Sequence, residues 1–339
     1  MSERAKGKKS PGKKSPGKIA GIIICCLVGL VLLAVVGFYA YIHIRYAPFF
    51  DHARAEFETP GTYDGLVAQG IGYVDDQDVW LVSGYDAKGG PSPVYIHHAD
   101  GSDEVRYFTL PDGSVFFGHN NLATDGTYLF LTDHDEQCLW VFSLEEVLSA
   151  SDGASVQALG SLLMPQRPDY VHCANGKLYC GEFCDDDQYP TADSHHITAP
   201  DGTDNNAILL VFEPDESAEF GYSATPSRAI STTQFIQGMC FDADGNFVLS
   251  QSFALRSSHL LFYDASAFDC AVSETIDVEG NPVPLYVLKG SDLVKSVECP
   301  PMGEEIVQHE GRIYIANEAA CSKYYYGRIY GAQTIYSYA

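Results

Sequence analysis

The segment Gln237-Gly238-Met239-Cys240-Phe241-Asp242-Ala243-Asp244-Gly245-Asn246-Phe247-Val248-Leu249 decides the fold: a polar pair, a short apolar run, a tight turn and a second β-rich run. The same order recurs from Gln69-Gly70 to Tyr85, from Asn120-Asn121 to His134, from Pro168-Asp169 to Phe183 and from Glu304-Glu305 to Ala320. The second runs of the other four copies are Val79-Trp80-Leu81-Val82, Tyr128-Leu129-Phe130-Leu131, Leu178-Tyr179 and Ile313-Tyr314-Ile315. Such β-branched and aromatic residues fit a pleated, half-buried surface. Asp125-Gly126, Asn175-Gly176, Asp244-Gly245 and Glu310-Gly311 fall between the paired runs and supply the positive φ of short hairpins. Five copies with a period of roughly 50 to 70 residues predict an all-β chain folded as a five-bladed β-propeller.

The spacing assigns four strands to most blades. Blade one takes residues 70–74, 79–83, 94–98 and 105–110; blade two takes 121–124, 128–132, 139–144 and 156–163. Blade three takes 170–174, 177–183, 208–212 and 228–232; blade four takes 238–241, 247–252, 259–263 and 284–288. Blade five offers only 305–308, 312–316 and 334–338, so one strand is missing. Residues 57–66 are unassigned, and pairing them with blade five closes the ring and covers an exposed edge. A sixth blade within 265–301 is the alternative.

Upstream of the repeats the composition inverts. Residues 1–18 hold seven Lys and Arg against Glu3 alone, with a twice-written Gly-Lys-Lys-Ser-Pro unit, and are expected to be disordered. Residues 19–44 contain no Lys, Arg, Asp or Glu. At about 1.5 Å per residue such a stretch more than spans a hydrocarbon core of about 30 Å, which predicts a transmembrane helix. A cleaved secretory signal is the competing reading, but its apolar core runs only about 7–15 residues and Ala53-Arg54-Ala55 lies beyond Arg45 and Asp51. The basic tail puts the N-terminus in the cytoplasm, residues 45–56 read as a linker, and residues 57–339 as a propeller outside a single-pass cell membrane anchor.

The chain has 20 Lys and Arg and 45 Asp and Glu; removing residues 1–18 leaves 13 basic against 44 acidic residues, a net −31. Nucleic acid is disfavoured as a partner, because phosphate binding relies on Lys and Arg. An extracellular ligand, glycan or protein suits this surface better, and so do cations. Cys25 and Cys26 fall in the apolar stretch, and the other eight of the ten cysteines form an even set, as disulfides in an oxidising compartment leave behind. No Asn-x-Ser/Thr sequon occurs, so nothing supports N-glycosylation.

The unit written out from Gln237 to Phe247 resembles the blades of the repeat-propeller superfamily that includes the YncE-like, NHL-type and SMP-30-like proteins. That resemblance covers residues 57–339 and concerns architecture. Pro300-Pro301-Met302-Gly303-Glu304-Glu305-Ile306 with Asn317-Glu318-Ala319-Ala320 looks like the closing blade of uncharacterised secreted bacterial propellers. No catalytic role is implied by it. A propeller hosts unrelated activities, so fold alone does not give function.

Geometry narrows the search, because the start of a blade's first strand and the end of its second lie at one end of the ring. Gln69, His119, Asn120, Arg167, Asp169, Gln237, Glu304 and Glu305 are therefore the candidate ligand-binding residues. The longest insertions, 184–207 and 317–333, emerge on the same side, and loops on a rigid scaffold concentrate binding residues. Asp133, Asp135, Glu182 and Glu318 are the candidate ligands of a hard cation such as Ca²⁺. In lactonase-like propellers such an ion polarises an ester in the channel, so the resemblance permits a metal-dependent hydrolase of lactone, ester or glycoside substrates as the alternative to a binding module.

Cys173, Cys180, Cys184, His195 and His196 are zinc-ligand types, but Cys-x6-Cys-x3-Cys is no standard zinc spacing. The turn Asp242 to Asn246 lacks the later Glu of a calcium loop. Tyr324-Tyr325-Tyr326 with Lys323 and Arg328, and Tyr189-Pro190, offer stacking surfaces for a sugar or peptide. There is no Gly-x-Ser-x-Gly, phosphate loop or His-Glu-x-x-His.

Overall fold

The computed structural model describes residues 16–339 except 270, 271 and 273, so residues 1–15 of the expected disordered tail lie outside the described residues. The chain divides into two units, residues 1–45 and 46–339. The first is a helix, Pro16–Arg45, within which Ala20–Arg45 is long and apolar enough to cross a membrane; an N-terminal signal sequence meets the same description.

The second unit is a five-bladed β-propeller. Its innermost strands are Leu66–Val74, Leu122–Thr124, Tyr170–Ala174, Ile236–Phe241 and Gly303–His309, one from each of the five blade sheets; a sixth, two-stranded sheet, Ile197–Thr198 with Asp204–Asn205, lies in the blade-three insertion. Each touches the next in that order and the last touches the first, which closes the ring. Alternate side chains of each strand point to opposite faces of its sheet. Apolar side chains therefore pack between neighbouring blades. Leu81, Ile96, Leu129 and Phe142 fill the space between blades one and two, and Val171, Leu178, Leu210 and Phe130 that between blades two and three. Complete burial of one such side chain contributes about 1.5–3 kcal/mol.

Closure uses the N-terminal segment, as the missing strand required. The closing strand is Ala53–Glu58, paired antiparallel with Thr334–Tyr338 through Ala53 opposite Tyr338 and Glu58 opposite Thr334. It starts upstream of the 57–66 segment chosen from sequence, because residues 60–65 form the turn leading into Leu66–Val74.

Three outer assignments are corrected. The expected strand 156–163 is two strands: Gly160–Leu163 completes blade two, whereas Ser155–Gln157 crosses to pair parallel with blade one at Tyr107 to Thr109. In blade four the outer strand is Leu293–Cys299, not 284–288. Asn281–Val287 instead pairs parallel with Arg228–Thr232 of blade three, and Thr275–Val278 lies beyond it. The segment 265–301 thus extends two existing sheets and makes no sixth blade. These strands cross because a parallel partner covers a neighbour's open edge as well as its own sheet would.

Among the described residues no cysteine forms a disulfide. Cys138, Cys180, Cys184, Cys240, Cys299 and Cys321 are buried thiols and Cys173 is half-buried, while Cys270 lies outside the described residues. The even count misled because these residues pack as small, largely buried groups, five of them within strands and Cys184 and Cys321 in the loops that follow strands.

Candidate functional site

In three of the five blades the first residues of the repeat unit reach the ring's mouth through a β-bulge. In blade one the pairing steps from Ala68 opposite Gly84 to Gly70 opposite Ser83, leaving Gln69 as the extra residue. Blade four does the same at Gln237, between Ile236 and Gly238, and blade five between Gly303 and Ile306, at Glu304-Glu305. A bulge re-aims one side chain without ending the strand. The glycine that follows has its own cause. A Cβ on Gly238 would lie 2.7 Å from Glu305 Cα, and one on Gly70 would lie 2.7 Å from Leu122 N. The polar-Gly pair is therefore a polar group turned into the channel beside a residue with no side chain, where the next inner strand leaves no room for a Cβ.

A cavity of about 560 Å³ occupies this mouth. Gln69, His119, Asn120, Arg167, Asp169, Gln237, Glu304 and Glu318 line it, with residues from all five blades represented. Tyr85, Phe183 and Phe253, at the ends of second strands, add aromatic surface; so do Tyr189, Tyr324 and Tyr326 from the two insertions. The aromatic strand ends occupy the same topological position as the polar residues chosen from sequence. A search restricted to carboxylates, amides and imidazoles passes over them.

Acid groups dominate the electrostatics. Glu304 is 3% exposed, and among the described residues it has no hydrogen bond or ion pair. Burial, and then the neighbouring carboxyls of Glu318 and Glu305, pushes its pKa far above the ordinary range. Glu318 is raised to about 7 by burial, opposed by Lys323 and by the Gln69 amide, which donates to it at 3.4 Å. Gln69 also bonds His119 Nδ1 at 3.1 Å, and burial with His134 and Lys323 nearby lowers His119 to about 4. Lys323 Nζ donates to Tyr85 Oη at 2.7 Å and stands 4.9 Å from the Tyr324 ring centre. Arg167 is engaged by Asp169, 2.8 Å from Oδ2, and by the Phe183 carbonyl at 2.6 Å.

Two candidate binding residues have structural partners. Glu305 is buried and accepts backbone N–H groups from Met239 at 3.1 Å and Ile306 at 2.9 Å, tying blade four to blade five. Asn120 donates to the carbonyls of Gly84 at 2.9 Å and Gly118 at 3.2 Å.

The candidate cation ligands Asp133, Asp135, Glu182 and Glu318 stand apart. Asp133 caps a turn through the Asp135 and Glu136 N–H groups and accepts from Trp140 Nε1 at 3.0 Å. Asp135 is exposed, beside His134 at 3.1 Å. Glu182 is buried and bonds Ile208 N at 2.9 Å and His195 Nδ1 at 2.6 Å. Of the four only Glu318 lines the cavity. Among the described residues, the group of His, Cys, Asp and Glu with converging ligand atoms is Cys184, Asp186 and His196. Each candidate was chosen for its rim position, and spacing does not reveal which rim carboxylates already serve turns and neighbouring strands.

No family model matches the sequence, and no curated protein matches it. Among solved structures, glutaminyl cyclase from Myxococcus xanthus is 16% identical, over 78% of this chain and 91% of that one, with a TM-score of 0.41. The PQQ-bound aldose sugar dehydrogenase of Streptomyces coelicolor is 10% identical over 78% of both chains, with a TM-score of 0.42. For Kuenenia stuttgartiensis hydrazine synthase the identity is 11% and the TM-score 0.35; the match covers 76% of this chain and only 58% of that one. Likenesses this loose carry no argument and do not separate the YncE-like, NHL-type and SMP-30-like groups. The chain is a β-propeller on the strength of its own closed ring of five inner strands.

Proposed function

We propose that this chain is a membrane-anchored, extracytoplasmic binding propeller that takes up a small ligand bearing a protonated amine in the five-blade mouth. The observation carrying this reading is Glu304, a buried carboxyl with no polar partner among the described residues, on the wall of a ligand-sized cavity. An unpaired buried carboxyl is costly unless something satisfies it. A ligand ammonium supplies both charge and donors. Glu318 stands beside it as the second acid, and Tyr326 and Phe253 offer aromatic faces of the kind that attract organic cations, while Tyr85 and Tyr324 already hold the Lys323 ammonium. Asp169 offsets the charge of Arg167, whereas Lys323, held by two neutral tyrosines, keeps its charge and opposes a cation.

The test is calorimetry on the full-length protein in detergent with a panel of primary amines, amino sugars and their neutral hydroxyl counterparts. Saturable binding of an amine, absent for its hydroxyl counterpart and lost in Glu304→Gln, is the expected result. Binding that ignores the amine, or that Glu304→Gln retains in full, overturns the reading.

A further inference from the structure

We propose that the blade-three insertion holds one zinc ion through Cys184, Asp186 and His196. The ligand atoms of these three side chains all lie within 4.8 Å of one another, with Cys184 Sγ 3.4 Å from Asp186 Oδ1. Tetrahedral zinc with bonds of about 2.0–2.3 Å separates its ligand atoms by roughly 3–4 Å, so the cluster needs only a small contraction to enclose the ion. Thiolate, imidazole and carboxylate are the donor set zinc prefers, whereas Ca²⁺ takes oxygen ligands.

The surroundings are arranged as they are around bound metals. Asn206 Nδ2 donates to both oxygens of Asp186 at 3.3 Å, which orients that carboxylate. Thr191 Oγ1 sits between the other two ligands, 3.5 Å from Cys184 Sγ and 3.1 Å from His196 Nε2. Its hydroxyl is within donating distance of both Cys184 Sγ and the Asn206 carbonyl, the latter at 2.5 Å. Neighbouring His195 is engaged by Glu182, so the adjacent imidazoles have separate tasks. Asp186 completes the set that cysteine spacing alone did not reveal, since Cys173 and Cys180 lie inside strands.

On binding, the Cys184 thiol proton leaves to solvent and the sulfur lone pair bonds the metal. Asp186 and His196, the charged or titratable groups facing the sulfur, both become ligands. Three protein ligands leave a fourth position for water. The ion pins a segment whose Gln188 and Tyr189 form part of the cavity wall.

The experiment strips the full-length, detergent-solubilised protein with chelator and titrates it with Zn²⁺ and Co²⁺ under reducing conditions. One equivalent of zinc and a thiolate-to-cobalt charge-transfer band are expected. Cys184→Ser should abolish the band. His196→Ala and Asp186→Asn, both at exposed positions, should each weaken zinc by more than the roughly 10–100-fold that loss of an orienting partner costs. Asp193→Asn, an exposed neighbour, should bind as wild type. Failure to bind one equivalent, or binding unchanged in His196→Ala and Asp186→Asn, overturns the proposal even if Cys184→Ser does not fold.

Discussion

Glu304, Glu305 and Glu318 are three carboxyls at one mouth with three different tasks, set by their partners. Glu305 accepts two backbone N–H groups and holds blades together; Glu304 has no such partner and faces the cavity; Glu318 sits closer to water, beside Lys323. The Glu318 pKa lies near 7 in the folded protein against an ordinary 4.5. Between these values the folded state holds a proton that the unfolded chain has released, so the associated stability is present below pH 4.5 and is lost as pH rises through about 7. The loss is on the order of 3 kcal/mol for a single group shifted this far. The thermal midpoint of the wild type should therefore fall between pH 5 and 8 by more than that of Glu318→Gln; equal slopes would assign the proton elsewhere. Over the same interval Glu318 gains its charge, so amine binding should tighten. Lys323 opposes that gain at every pH in the window, and His119, lowered to about 4, stays neutral through it.

At the scale of the element, the bulged inner strand turns a repeat into a site. One extra residue at Gln69, Gln237 and Glu304-Glu305 directs a polar side chain into the channel while the strand continues into the core. Gly238→Ala should cost about 1–3 kcal/mol, because its Cβ has nowhere to go but into Glu305. Chemical denaturation measures this, with Gly89→Ala, whose Cβ meets nothing, as the comparison for φ strain alone. The polar-Gly pairs are visible in the sequence, and so is the rim they mark. The outer strands were less legible: 284–288 and 293–299 are both β-rich, and only edge pairing across two blades assigns one to blade three and the other to blade four. The cation cluster failed for a related reason. Asp133 and Glu182 look like ligands in the sequence, yet turn N–H groups, Trp140, Ile208 and His195 occupy them.

For the whole molecule, the apolar helix and the acidic propeller demand different solvents. The helix side chains from Ile22 to Val36 are largely exposed, which is stable only if lipid or another apolar phase covers them. The protein should remain in the membrane pellet after alkaline carbonate extraction, and protease added outside the cell should cut the propeller and spare the basic tail; release by carbonate would remove the anchor. The amino-acid sequence by itself determined the apolar helix, the five repeats and their common rim, because hydrophobic period and turn chemistry are local properties written along the chain. Only the tertiary structure decided which rim groups are spoken for, which strands cross between blades, and that Cys184, Asp186 and His196 meet. Those outcomes depend on packing between segments far apart in the chain, and local spacing carries no record of it.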